Sequence, residues 1–372
     1  MKFCIITHVN HFKENNIYFS YSPYVREMNI WLRHIDELVI VAPSSKKDKS
    51  KIDIAYLHPK IEFTSISQFN VTSLGAILKS VVDVPFIMLA IYRAMKKADH
   101  IHLRCPGNVG LLGCLVQIFF PAKPKTAKYA GNWDPKSKQP LSYRLQKWIL
   151  SNIFLTKNMQ VLVYGEWPNQ SKNIKPFFTA TYRESDKTPI TKRNLQGEIR
   201  FVFAGTLSSG KRPMFALQLV EQLLKKNINV YFDIYGEGAA RESLENFILK
   251  NKLSEFVALH GNQKETTLRT AYQKAHFLIL PSKSEGWPKV VAEAMFWGCV
   301  PISSAVSCVP NMLDSGNRGI LLSMDLEKDV VTTEELIRNE EAYHKMSLEG
   351  AEWSRRYTLD KFEQEIKKLL RP

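Results

Sequence analysis

Cysteine is scarce in this 372-residue chain, and its five occurrences form no pattern. Cys4, Cys105, Cys114, Cys299 and Cys308 are odd in number, include no CxxC pair and sit inside apolar segments. A disulfide framework or thiolate zinc site is thereby excluded, and buried thiols in a reducing cytosol are expected. Long apolar runs are lacking too: stretches such as VGLLGCLVQIFF at 109–120 fall well short of the ~20 residues that span a bilayer. The opening MKFCIITHVNHF ends its apolar run in His and Asn with no small-residue cleavage site, so it reads as a first buried strand, not a secretion signal. A cytoplasmic protein is the expectation.

Several catalytic signatures are missing as well. There is no GxGxxG in a suitable strand-to-helix turn, no Walker A loop, no HExxH and no dense His, Cys and Asp cluster at metal-ligand spacing. Neither a resident cofactor nor a metal is expected. His8 and His11 follow the first strand, and lone histidines of this kind read as surface or internally satisfied residues.

Acidic charge is scarce in one half only. Residues 1–198 hold 28 Lys and Arg against 14 Asp and Glu, whereas the remainder holds 23 against 22. The excess suggests that the first half faces something anionic. The cations are scattered and accompany no recognised motif, which argues against nucleic acid. The stretch LSYRLQKWILSNIFLTK, 141–157, places Leu145, Trp148, Ile149 and Ile153 near one face with Arg144, Lys147 and Lys157 beside them, as a helix lying on an anionic membrane does. A core helix with a basic edge has the same pattern.

What the sequence does contain is an alternation of short apolar runs with helical periodicity. KFCIIT (2–7), ELVIVAP (37–43), HIHLR (100–104), TAKYAG (126–131) and MQVLVYG (159–165) read as strands, with helix-like stretches such as YVREMNIWLRH and VPFIMLAIYRAMKKA between several of them. A polar stretch from Tyr182 to Glu198 reads as a linker. The pattern then restarts with strands at 199–205, 229–236, 256–261, 276–280, 300–304 and 318–322, separated by helices. From about Thr332 the chain reads as helical, and its last helix carries a stripe of Leu359, Phe362, Ile366 and Leu369 or Leu370 that needs a surface to cover. The expected organisation is α/β: a Rossmann-like domain over 1–185, a linker over 186–198, a second Rossmann-like domain over 199–350, and a helix over 351–372 packing back toward the first domain.

Ligands of such sheets bind outside the carboxyl ends of the strands, where helix N-termini supply N–H donors. Three loops of the second half occupy that position: Gly205-Thr-Leu-Ser-Ser-Gly-Lys-Arg-Pro, Tyr235-Gly-Glu-Gly, and Pro281-Ser-Lys-Ser-Glu-Gly-Trp-Pro. The first joins glycines and hydroxyls to Lys211 and Arg212 ahead of a helix opened by Pro213, which suits an anionic phosphate. By itself it also fits an ordinary solvated loop, and Gly236 and Gly238 fit an ordinary turn. In the third, Glu285 follows a strand, Gly286 permits close approach to the backbone, Pro288 fits a first helical position, and Glu293 lies on the helix that Gly298 ends.

Taken together, PSKSEGWPKVVAEAMFWGCVPIS at 281–303 resembles the E-x7-E signature of family 4 of the glycosyltransferases, retaining enzymes of the GT-B fold, in which two Rossmann-like domains face each other across a cleft. FAGTLSSGKRP resembles that family's phosphate loop and DIYGEG its second nucleotide loop, so the likeness covers about 199–325. It implies a donor site of Gly205, Thr206, Lys211, Arg212, Gly236, Gly238, Glu285, Gly286, Trp287, Pro288, Lys289 and Glu293. Glu285 would accept hydrogen bonds from the donor sugar, Glu293 from the ribose, and Lys211 would stabilise the departing diphosphate without a metal, making Lys211 and Glu285 the catalytic pair. Thr206 departs from the family, which often has Arg there.

The resemblance further implies a nucleoside diphosphate sugar, UDP-linked by preference, as co-substrate. A glycan or lipid-linked acceptor would be bound by the first domain, as in bacterial cell-surface polysaccharide synthesis at the inner face of a membrane. Acceptor-side candidates by position are His102, Arg104, Asn132 and Asp134. A nucleotide-sugar epimerase or phosphorylase of the same fold, and a catalytically silent membrane-associated scaffold, remain alternative readings.

Overall fold

The computed structural model describes residues 1–45, 53–67 and 74–371. The chain divides into two compact units, Met1–Phe178 with Glu363–Pro372, and Thr179–Phe362.

The first unit is built on a seven-stranded parallel sheet. Its strands are β1 (Lys2–Ile6), β4 (Glu37–Pro43), β6 (Ile61–Ile66), β7 (His100–Cys105), β8 (Lys125–Tyr129), β9 (Met159–Tyr164) and β10 (Ile174–Phe177), in the order β10-β9-β8-β7-β1-β4-β6. β1, β4 and β7 are buried along nearly their whole length. A strand covered on both faces reads as a continuous apolar run, which is why these were visible in the sequence. Helices α2 (Leu74–Lys97), α3 (Asn108–Val116) and α4 (Leu141–Ser151) form a contiguous layer on the sheet. Their inner side chains, among them Ile87, Ile91, Met95, Leu112, Val116, Ile149 and Leu150, enter one core. Helix α1 (Ser22–Trp31) packs with a small antiparallel sheet of β2 (His11–Glu14), β3 (Ile17–Tyr21) and β5 (Asp53–Ala55).

The second unit has a six-stranded parallel sheet of β11 (Ile199–Ala204), β12 (Val230–Tyr235), β13 (Val257–Gly261), β14 (Phe277–Leu280), β15 (Val300–Ser304) and β16 (Ile320–Leu322), ordered β13-β12-β11-β14-β15-β16. Around it lie α5 (Pro213–Lys225), α6 (Arg241–Lys250), α7 (Glu265–Lys274), α8 (Lys289–Phe296), α9 (Val309–Met312), α10 (Leu326–Arg338) and α11 (Glu340–Ser354). α5 packs on α6 and α10, whereas α7 and α11 pack on α8. Both units are Rossmann-like, as expected.

Three boundaries differ from the sequence reading. The first unit ends at Phe178 rather than residue 185. The polar stretch 182–198 is part of the second unit and not a free linker, because Arg193 is buried and donates to the carbonyls of Tyr272, Gln273, Trp297 and Gly298. Hydrogen bonds from one guanidinium to four carbonyls fix this segment as firmly as a strand would. The last helix, α12 (Leu359–Leu370), has Phe362 and Ile366 buried, and residues from Glu363 onward cluster with the first unit, where Glu363 takes Arg33 at 3.1 Å and His34 at 3.0 Å.

All five cysteines are free and buried. Burial pushes the thiols of Cys4, Cys299 and Cys308 up to about 12. Among the described residues no helix is long and apolar enough to cross a membrane.

Candidate functional site

The strand order of the second sheet reverses between β11 and β14, so their carboxyl ends flank the crevice in which such sheets take ligands. Two of the three candidate loops leave from those two strands. They are joined directly, because Lys283 N donates to Gly210 O at 2.8 Å.

The loop after β12 is laid against the loop after β11. Gly205 N donates to Tyr235 O and Leu207 N to Glu237 O, both at 2.9 Å. Gly236 has a φ of 138°, and a Cβ on it would stand 1.9 Å from the Gly205 carbonyl oxygen; on Gly238 a Cβ would stand 2.4 Å from that of Leu207. These two glycines therefore serve backbone packing beneath the first loop. A side chain at Gly236 would displace Gly205 before any ligand met it.

The first loop closes in a turn in which Lys211 N and Arg212 N both donate to Ser208 O at 3.1 Å. Arg212 caps α5 in the left-handed region with a φ of 49°, and Pro213 opens the helix. Lys211 is thereby aimed at the third loop, and its Nζ lies 2.5 Å from Glu285 Oε1. The Glu285 side chain is 8% exposed and that of Lys211 29%. Two residues 74 positions apart thus form a charge pair at the switch point, with no further protein hydrogen bond to Glu285 among the described residues. Thr206 is exposed, and Arg212 is half-buried without an ion-pair partner among the described residues.

Around the pair, Gly286 O accepts from Ser307 Oγ and Cys308 Sγ at 3.1 Å, tying the third loop to the turn ahead of α9. Trp287 stacks on Trp353 with centroids 6.0 Å apart and meets Tyr357 edge-on at 5.4 Å. Pro288 is the N-cap of α8 with a ψ of 91°, so the first helical position falls to Lys289, one residue later than expected. The cap makes no side-chain hydrogen bond.

Glu293 has protein partners where the sequence reading gives it a ribose. Thr181 Oγ1 donates to its Oε1 at 2.6 Å and the Tyr272 hydroxyl to its Oε2 at 3.3 Å. Its pKa is raised, chiefly by burial. The space beside it toward Thr181, Lys289 and Tyr357 is about 10 Å³. Nothing near Glu293 in sequence signals Thr181 or Tyr272, which lie 112 and 21 residues away.

Each acceptor-side candidate has protein partners in the first unit. His102 is fully buried in the middle of the first sheet, hydrogen-bonded to Thr126 Oγ1 at 2.9 Å and packed on Phe3 and Trp31, because β7 runs between β1 and β8. It is a core residue, out of an acceptor's reach. Arg104 lies beside Glu27 at 3.4 Å and over the Tyr24 ring. Asn132 Oδ1 accepts from Asp134 N, and Asp134 Oδ1 from Lys136 N, so both carboxamide and carboxylate shape their own turn. His11 is buried, donating to Val9 O and facing the Tyr56 hydroxyl. No group of three or more His, Cys, Asp or Glu is arranged to hold a metal ion among the described residues.

Residues 186–353 match the family model described as glycosyl transferases group 1. One curated relative is the GalNAc-alpha-(1->4)-GalNAc-alpha-(1->3)-diNAcBac-PP-undecaprenol alpha-1,4-N-acetyl-D-galactosaminyltransferase of Campylobacter jejuni. It is 29% identical over 153 residues, covering 40% of this chain and 41% of that protein. The chain spans about two fifths to half the length of the first curated relatives it matches. Among solved structures, the sucrose-phosphate synthase of Thermosynechococcus elongatus aligns over 100% of this chain and 98% of its own, with a TM-score of 0.69 at 15% identity. Anabaena HepE in complex with UDP aligns over 100% and 99%, at a TM-score of 0.68 and 13% identity. The chain has the GT-B fold, and its second unit carries the match to the group 1 glycosyl transferases.

Proposed function

We propose that the protein is a retaining, metal-independent glycosyltransferase that moves a sugar from a UDP-sugar to a glycan or lipid-linked acceptor in surface polysaccharide synthesis. The observation that carries this reading is the Lys211–Glu285 pair at the β11/β14 switch point, set between two loops hydrogen-bonded to each other. A carboxylate offers two acceptor oxygens and no donor, which suits paired sugar hydroxyls. One Glu285 oxygen is engaged by Lys211, leaving acceptor capacity for the donor sugar.

When the bond between the anomeric carbon and the diphosphate breaks, negative charge grows on the leaving oxygen. Lys211 and the N–H groups at the starts of α5 and α8 are the groups placed to meet it, and fixed dipoles need no reorganisation as the charge develops. With Thr206 where the family often has Arg, Lys211 carries the larger share, supplemented by Arg212. For Glu293 the reading requires a ribose hydroxyl to replace Thr181 on one oxygen. The UDP preference is supported by HepE, solved with UDP, and the lipid-linked acceptor by the Campylobacter jejuni relative, named for a PP-undecaprenol substrate.

A donor screen read by mass spectrometry, with chelator present and the product anomer assigned by NMR, tests the reading. Transfer with retention is the expected result. An inverted product overturns the family mechanism, metal dependence overturns the role of Lys211, and conversion of donor without acceptor points to an epimerase.

A further inference from the structure

We infer that the outer face of the α2, α3 and α4 layer in the first unit docks on a bilayer surface rich in anionic headgroups. Because the inner sides of these helices fill the sheet's core, their exposed apolar side chains lie on the side away from it. On α2, Val82, Phe86, Leu89 and Tyr92 are all exposed at the three-to-four-residue spacing of one helix face, Phe86 to 70%. On α4 the exposed apolar residues are Leu141, Leu145 and Trp148, the last to 60%. Phe119 and Phe154, just past the ends of α3 and α4, are 69% and 79% exposed. Gln117 Nε2 donates to Leu155 O at 2.9 Å, and the Tyr92 and Phe120 rings meet at 5.1 Å, so the ends of all three helices are tied together.

This face differs from the one read in the sequence. Ile149 is 2% exposed and belongs to the core, and Ile153 lies beyond the end of α4. Leu141 takes their place, and α2 contributes a second stripe. Scattered exposed apolar residues need no explanation, but a stripe on each of α2 and α4, with Phe119 and Phe154 past the helix ends, does.

The charge around the face selects the occupant. Between residues 74 and 157 there are thirteen Lys and Arg, three Asp and no Glu, although Lys125 and Lys128 are buried and Lys97 and Arg104 are paired. Arg93, Lys96, Arg144 and Lys157 are exposed and have no ion-pair partner among the described residues. Aromatic and aliphatic side chains rimmed by unpaired cations suit the boundary between acyl chains and anionic headgroups, where each cation adds to the attraction. With no spanning helix among the described residues, the contact is one of lying on the membrane.

The test uses the full chain with vesicles of phosphatidylcholine alone, or of phosphatidylcholine and phosphatidylglycerol in equal parts. Flotation should show binding to the anionic vesicles only, weakening as salt shortens the Debye length. Phe86→Ser and Trp148→Ser should each lower the partition coefficient about tenfold, ~1.4 kcal/mol, and Arg93→Gln with Lys96→Gln should lower it further. Tryptophan emission of the unaltered chain should shift to the blue on anionic vesicles, and that shift should shrink in Trp148→Phe, a readout that survives poor folding of the serine variants. UDP binding should be the same in all of them, so this inference and the donor reading fail separately. Binding to neither vesicle, or binding indifferent to lipid charge and to Phe86 and Trp148, overturns it. So does self-association in analytical ultracentrifugation that the same substitutions abolish, which would give the face to a second copy of the chain.

Discussion

Because Lys211 and Glu285 hold each other, replacing one or the other should have opposite effects on a bare nucleotide. Lys211→Ala strands a carboxylate whose side chain is only 8% exposed. Breaking a fully buried pair costs about 3 to 5 kcal/mol; with Lys211 29% exposed the cost here should be nearer 2. Its effect on UDP is the loss of a hydrogen bond to a charged group, about 1.5 to 3 kcal/mol, or a ten- to hundredfold weaker Kd. Glu285→Gln instead leaves an ammonium that water can still reach, so stability should fall by less than about 1 kcal/mol. It also removes an anion that competes with the diphosphate for Lys211, and bare UDP carries no sugar for Glu285 to lose. UDP should bind Glu285→Gln at least as tightly as the parent, while transfer from a UDP-sugar falls about a hundredfold. Calorimetric titration of UDP with chelator present, beside urea midpoints for both variants, reads all four quantities. If Glu285→Gln weakens bare UDP as much as Lys211→Ala does, the division of roles is refuted.

Gly236→Ala should abolish measurable UDP binding by forcing the first loop away from β12, whereas Gly197→Ala, whose added Cβ meets nothing within 4 Å, should leave it unchanged in the same titration. Glu293→Gln should raise the melting temperature near neutral pH, because burial holds that carboxyl above its ordinary value and the charged form is therefore unfavourable, yet it should weaken UDP about tenfold. A loss of stability with unchanged affinity would make Glu293 a structural residue. Burial depresses His11, His100 and His276 to about 4. The unfolded chain thus binds more protons than the folded one between pH ~6.5 and about 4, and stability present at neutral pH should fall by about 1.4 kcal/mol per pH unit for each of the three as pH drops through that window. Urea midpoints between neutral pH and the lower end check it. The fall should be shallower in a His276→Gln variant.

The elements legible in the sequence were those whose burial shows in one segment at a time. Parallel strands covered on both faces announce themselves as apolar runs, and the loops after them carried the glycines, cations and carboxylates of the candidate site. The three-stranded sheet of the first unit has a fainter signal. HFKENNIYFSY pairs His11 with Ser20 and Glu14 with Ile17 around Asn15 and Asn16, both at positive φ, which is the turn that Asn favours in a hairpin. Charged residues at Lys13 and Glu14 and the mixed polarity of the strand hid it. His102 misled for the opposite reason: in the sequence it is a polar residue near a strand end, and only the pairing of β7 with β1 and β8 shows that its register puts it in the core.

What remained illegible depends on atoms brought together from afar. Arg193 looks like one more cation in a polar stretch, because the four carbonyls that hold it come from the end of α7 and the end of α8. His276 shows how tightly such a contact can define chemistry. Its Nδ1 accepts from Arg200 N at 3.0 Å, so that nitrogen is unprotonated, and its Nε2 donates to Asn194 O at 3.1 Å. A second proton would turn the acceptor into a donor facing an N–H, and the bond from Arg200 N would be lost, while the β11 and β14 pairing and the Arg193 bonds stay. For Lys211 and Glu285 each residue is legible in its own loop but their ion pair is not: the sheet order, which sets β11 beside β14, turns a loop lysine and a helix-leading glutamate into one charged site.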